Sequence, residues 1–304
     1  MEQQSDKLHN LRHSLAHILA SAVIEMFPKA QLGVGPVIEN GFFYDFLLPR
    51  PLTPEDLAKL EKRMRELVKQ KLPFERNEMS IAEAKKYFEK NKQLFKVELI
   101  KDIEKFGTTE ADKILNSDAS LSGEKKSTEK TEKVTLYKTG KFVDLCRGGH
   151  VENTSEIDPQ SFKLDKLSGA YWRGDQKNPQ MQRIYGLAFE SKGTLEEHIK
   201  LREEIAKRDH RVLGPKLGLF LFHELSPGIP FYQAKGTVVR NELQKFAREV
   251  SFGEGYQEVA LPQMFDAEIF KTSGHWEHFK KDMFILKLEN RDFAFKPMNC
   301  PGNP

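Results

Sequence analysis

An α+β chain in two domains is what the sequence predicts, on three observations. Segments with apolar residues at helical spacing alternate with short β-branched and aromatic runs bounded by Gly, Pro and Asn. A charged helix, Thr194 to about His210, lies between two regions that can each hold a core. From Val212 the composition changes, which sets expected bounds of 1–193, a linker helix 194–211, and 212–304. A length of 304 residues fits that count.

The first element is an amphipathic helix over residues 5 to 27. Leu8, Leu11, Leu15, Ile18, Leu19, Val23 and Met26 recur on one face, Ser5 or Asp6 can cap it, and Pro28 stops it. Residues 31 to 50 predict a hairpin around Asn40-Gly41. Thr53 before Pro54-Glu55-Asp56 opens a helix to residue 71, with Leu57, Leu60, Met64, Leu67 and Val68 inward. Phe74 to Met79 predicts a strand, and Ser80 with Glu83 a capping box for a helix to Lys90. Leu94 to Ile103 fits a strand or a short helix. Gly107 to Lys133 turns polar and predicts a mobile insertion.

Val134, Leu136, Phe142 and Val143 predict one or two strands, and Met181 to Phe189 a closing strand. In the second region, Gly218 to Phe222 predicts a buried strand. Gly236 to Ser251 predicts a helix with Val238, Val239, Leu243, Phe246, Ala247 and Val250 inward. Tyr256 to Pro262 predicts a strand, Asp266 to Thr272 a helix, and Glu289 to Asp292 the turn of a hairpin. The chain stops at Pro304 shortly after a strand that needs neighbours, so the second domain is expected to be incomplete.

Charge sets limits on partners. Lys and Arg number 48 against 45 Asp and Glu, a net +3, so nucleic-acid binding would need a local patch. The two cysteines, Cys146 and Cys300, make no disulfide framework. There is no signal-peptide pattern at the amino end and no apolar run of membrane-spanning length, so a cytoplasmic protein is expected.

Chemistry concentrates in Phe142-Val143-Asp144-Leu145-Cys146-Arg147-Gly148-Gly149-His150. Cys-x-x-x-His is half of a four-ligand or hydrolytic site; the alternative is a buried Cys beside a surface His. His13 and His17 lie four apart, one turn along one helix face, where two imidazoles can grip one ion or polar group. The plainer reading is two partly buried helix histidines. Tyr171, Trp172 and Arg173 suit either base stacking and phosphate binding or a core strand.

RHSLAH (12 to 17) with DLCRGGH (144 to 150) is similar to the paired H-x-x-x-H and C-x-x-x-H motifs of the editing domain shared by threonyl- and alanyl-tRNA synthetases. GPVIENGFFYDF (35 to 46), GAYWRGD (169 to 175) and AKRDHRVLGPKLGLF (206 to 220) resemble further stretches of the threonyl family. The segment 226 to 300 looks like the start of its class II catalytic domain, with motif 1 over 236 to 262 and the signature KPMNCPG at 296 to 302. Three departures are visible. The usual preceding ubiquitin-like domain is missing, the chain ends before motifs 2 and 3, and Gly149 and Asn303 replace the family's proline and histidine.

The resemblance implies a two-lobed editing domain with a mixed or antiparallel sheet and flanking helices, then an incomplete class II antiparallel-sheet domain. It implies threonine--tRNA ligase activity in a complete enzyme, with ATP and Mg as substrates, and hydrolysis of tRNA mischarged with serine. Serine differs from threonine by one methyl, worth only about 1–3 kcal/mol in a pocket, so a second, hydrolytic site is needed. By resemblance, His13, His17, Asp144, Cys146 and His150 form it; zinc there is optional. Tyr137 and Lys138 would contact the terminal adenosine, and Arg147 or Arg173 a phosphate. Cys300 would be one of three zinc ligands in the catalytic domain, its partners lying past Pro304. This chain alone is therefore expected to edit at most, not to aminoacylate. Motif 1 implies a homodimer. Two competing readings are a free-standing deacylase of mischarged tRNA and a non-catalytic tRNA-binding or dimerisation module.

Overall fold

The computed structural model describes residues 2–107, 132–299 and 302. Cys300 and most of the Gly107–Lys133 stretch, from 108 to 131, lie outside the described residues. The chain divides into two compact units, Met1–Ala206 and Lys207–Pro304.

The first unit contains helices α1 (Glu2–Met26), α2 (Pro54–Lys69), α3 (Ile81–Lys90), α4 (Leu94–Phe106) and α5 (Lys192–Lys207), the last running just across the division. Its strands are β1 (Gln31–Leu32), β2 (Val37–Ile38), β3 (Gly41–Leu47), β4 (Phe74–Ser80), β5 (Lys133–Thr139), β6 (Phe142–Leu145), β7 (Phe162–Tyr171) and β8 (Gln180–Ala188). All pairings are antiparallel. One sheet runs β1-β3-β8-β7 with β2 also on β3, and a second runs β4-β5-β6. The hairpin at residues 31 to 50 forms with its turn one residue early: Ile38 pairs with Gly41, leaving Glu39-Asn40 as the loop.

α1 is buried nearly all round from Leu11 to Val23. Leu15, Leu19 and Val23 pack with Phe42, Tyr44, Phe46 and Ile184 of the larger sheet and with Leu60 and Met64 of α2. Gly186 makes room for this: a Cβ there would sit 2.4 Å from the Phe42 ring. The predicted Ser80–Glu83 capping box forms, the expected Thr53 cap proves to be a capping box with Asp56, and the two fix where α3 and α2 start. The Leu94–Ile103 stretch is helix; Val97, Ile100 and Ile103 join Ile81, Ala84 and Phe88 on one face of the smaller sheet. Its opposite face carries Phe74, Tyr137, Phe142 and Asp144, and this face meets the histidines of α1.

The second unit has helices α6 (His210–Lys216), α7 (Ala234–Gly253), α8 (Ala267–Thr272) and α9 (His275–Phe279). Its strands are β9 (Phe220–Leu221) paired with β10 (Phe231–Tyr232), and β11 (Met264–Asp266), β12 (Ile285–Leu288) and β13 (Arg291–Phe295) in the order β11-β13-β12. The predicted hairpin turn lies at Glu289-Asn290, both at positive φ. Three expectations fail here. The Gly218–Phe222 strand shrinks to two residues and is not buried. Tyr256 to Pro262 is not a strand, because no described strand lies beside it to take its hydrogen bonds. α7 forms, but Val238, Val239, Leu243, Phe246 and Val250 are exposed rather than inward, since no described element covers them. The core here is small: Phe270, Met283 and Ala294 with Phe265, Ile269, Trp276 and Ile285 around them.

No helix among the described residues is long and apolar enough to cross a membrane.

Candidate active site

α1 and the loop after β6 build the site together. β5 and β6 pair with Tyr137 opposite Asp144, which carries the chain to Cys146 at the end of β6. Two residues at positive φ, Gly148 (+125°) and Gly149 (+82°), then turn it back so that His150 faces α1. A proline cannot adopt the φ seen at Gly149, so this loop is one that only the glycine version of the motif can form. A Cβ on Gly149 would lie 3.3 Å from Asn10 Oδ1 and 3.6 Å from His13 Nδ1.

Residues more than a hundred positions apart thus converge. The Cys146 Sγ is 3.5 Å from His13 Nε2 and 3.2 Å from His150 Nε2. The His13 and His150 rings stack with centroids 4.3 Å apart, and His17 lies 4.4 Å from His150. Ser14 Oγ accepts the Val151 N–H and pairs with His150 Nδ1, while Phe74 stacks on the His150 ring. A buried ion pair completes the floor. Lys96 Nζ donates to Asp144 Oδ1 (2.6 Å) and to Tyr44 Oη (3.0 Å); Tyr44 Oη donates to Asp144 Oδ2 (2.5 Å). The Leu145 N–H donates to Asp144 Oδ1, and His17 Nε2 lies 4.0 Å from Oδ2.

Burial sets the protonation states. It pushes the His13 imidazole down to about 4, with His9 adding to the effect. His17 is also driven down, by burial first and then by His13 and Lys96; His150 follows by burial, His17 and His13. Burial raises the Cys146 thiol to about 12 and the Tyr44 phenol well above its usual value. At neutral pH the cluster is three neutral imidazoles and a protonated thiol, beside one ammonium–carboxylate pair.

A cavity of about 610 Å³ is lined by His9, His13, His17, Tyr44, Lys96, Asp144, Cys146 and Arg147 among others; His150 and Tyr137 lie behind this lining rather than in it. Of the expected substrate contacts, Tyr137 packs its ring 4.6 Å from His150 and Arg147 lines the cavity. Lys138 projects to the other face of β5, as strand alternation requires, and pairs with Glu75. Arg173 pairs with Asp102 at 2.7 Å and is not among the residues lining the cavity. Sequence reasoning missed Lys96 and Tyr44. A lone lysine in the apolar run LFKVELI was the available signal, because an unpaired lysine is almost never fully buried.

His13, His17, Cys146 and His150 present four donor atoms within 4.8 Å of one another. Three imidazoles and a thiol are a zinc donor set, and His17 Nδ1 is buried without a hydrogen-bond partner. The residues fit a zinc ion.

The family described as "Threonyl and Alanyl tRNA synthetase second additional domain" matches residues 134–185. Over 296 residues the chain is 44% identical to "Threonine--tRNA ligase 2" of Bacillus subtilis, covering 97% of this chain and 42% of that protein. It is 45% identical over 302 residues to the threonine--tRNA ligase of Dechloromonas aromatica, 99% of this chain and 43% of the relative. With the ligase of Thermotoga sp. the figures are 44%, 96% and 42%. A solved structure titled as the RNA binding domain of threonyl-tRNA synthetase from Cryptosporidium parvum is 42% identical over 31% of this chain and 24% of that one; its TM-score of 0.31 carries no argument about fold. The chain is thus similar to threonine--tRNA ligases along almost its whole length, and it spans less than half the length of those relatives.

Proposed function

We propose that the first unit is a deacylase that removes serine from mischarged tRNA, within a threonine--tRNA ligase. The observation that supports it best is the convergence of His13, His17, Cys146 and His150 within 4.8 Å of one another, three of them (His13, His17 and Cys146) lining one cavity with the buried Lys96–Asp144 pair. In the whole protein the second unit would contribute to ATP- and Mg-dependent charging with threonine, Cys300 to a zinc site, and α7 to a homodimer.

Ester hydrolysis needs a placed water, an acceptor for its proton and a donor for the oxyanion. The Cys146 sulfur lies between His13 Nε2 and His150 Nε2 and positions both rings; His13 lines the cavity, where its neutral imidazole would accept a proton from a water beside it. A thiol held protonated is a poor nucleophile, which favours attack by water over an acyl-cysteine. Lys96 has three N–H donors; two are engaged by Asp144 and Tyr44, and the third serves the ester carbonyl or the serine hydroxyl. Asp144 and Tyr44 act by holding that ammonium in place. Three of the donors His13, His17, Cys146 and His150 would hold a zinc ion able to supply a Lewis acid for the ester carbonyl, whereas all four together would make a closed, structural site.

The test is release of serine from seryl-tRNA. Wild-type chain is expected to accelerate it, and His13→Ala to slow it by about 100-fold or more, the scale on which a positioned acid–base group acts; Cys146→Ala, which removes the group between the two imidazoles, should slow it as well. An unaccelerated wild type would favour the tRNA-binding module, with no enzyme.

A further inference from the structure

We infer that Arg76 holds the 5′-phosphate of the terminal nucleotide while its aminoacyl ester lies at the histidine–cysteine cluster; this rests on the deacylase reading above. The strand register carries the argument. Arg76 of β4 lies directly opposite Tyr137 of β5, and Tyr137 directly opposite Asp144 of β6. Directly opposed residues of an antiparallel sheet share a face. That face is the one bearing the cluster, since Tyr137 packs on His150 and Asp144 holds Lys96. The row therefore runs from the buried ion pair, over an aromatic ring, to an exposed guanidinium. It spans two strand spacings, about 10 Å, a gap that one ribose with its base can bridge.

Lys133 lines the cavity too, but it lies four residues along β5 from Tyr137, outside this row; the other cations nearby are committed differently. Lys138 is on the opposite face with Glu75, and Arg173 is paired with Asp102 and Glu98. Arg147 donates to the Gly107 carbonyl at the end of α4. Arg76 is paired with Glu78, two residues along the same face, at 2.8 Å. Both side chains are about half exposed, and such a pair contributes little, so a phosphate can take the place of Glu78. A guanidinium receives a phosphate through two parallel N–H donors, which fixes the nucleotide's register as well as its charge. Tyr137, between the two ends, offers its ring to the sugar or base.

The test compares 3′-O-seryladenosine with its 5′-monophosphate, substrates that differ only in the phosphate. Wild-type chain is expected to hydrolyse the phosphorylated form with a KM about tenfold lower at similar kcat, the size of a charge-assisted contact. Arg76→Ala should erase the preference and leave kcat for both substrates within about twofold. Arg76→Lys should restore part of the preference, and Glu78→Gln should sharpen it. Equal KM values in the wild type, or an Arg76→Ala loss that falls equally on both substrates, would overturn the inference and leave the deacylase standing. A wild type inert toward both compounds and toward seryl-tRNA would overturn the deacylase and this inference together.

Discussion

Asp144→Ala is expected to destabilise the first unit by about 3–5 kcal/mol, the cost of leaving a buried charge without its partner. The Lys96 and Asp144 side chains are 3% and 2% exposed, so an ammonium left alone there is largely desolvated. Tyr44 would lose its acceptor in the same step. The two tryptophans make the measurement local, because Trp172 lies in the first unit and Trp276 in the second. Urea unfolding of a Trp276→Phe background, followed by the remaining tryptophan, should show the loss. Removing both charges with Lys96→Met and Asp144→Leu should recover most of it, since an apolar pair of similar volume carries no desolvation cost. That double variant should nevertheless be inactive on seryl-tRNA. A loss under about 1 kcal/mol in Asp144→Ala would mean the pair is not load-sharing with the core, against its burial.

The second large effect is acid lability of the metal-free protein. The folded-state pKa of His13 is lowered from 6.5 to about 4. The unfolded chain therefore binds this proton first as pH falls, and stability present in full above pH 6.5 is lost down to about pH 4. For His13 alone the loss is about 3 kcal/mol, and His17 and His150, also lowered, steepen it. Denaturation measured from pH 7.5 to 4 in chelator should show this slope, and His13→Asn should flatten it. A flat wild-type profile would contradict burial of neutral imidazoles.

Much of the site was legible because its residue types are rare and its spacings local. His13 and His17 one turn apart, and Cys146 and His150 across two glycines, each stand out from their surroundings. Helix starts were legible too, where Thr53–Asp56 and Ser80–Glu83 close reciprocal caps. The rest depended on tertiary partners. Lys96 reads as a surface lysine until α4 is packed and Asp144 is beneath it. Arg76 gains meaning only through the β4–β5–β6 register, which no local pattern encodes. The acidic partners of Lys138 and Arg173, 63 and 71 residues away, are invisible in sequence. In the second unit, apolar periodicity correctly gave the α7 helix, but periodicity states which face is apolar and not whether anything covers it.

The most direct test of the central claim, that two distant motifs act as one site, is a double-mutant cycle on seryl-tRNA hydrolysis with His13→Ala, Cys146→Ala and the two combined. If both groups serve the same water, each single variant should lose most of the acceleration and the combination should be within about threefold of the slower single. Losses that multiply, or a single variant as fast as the wild type, would contradict it.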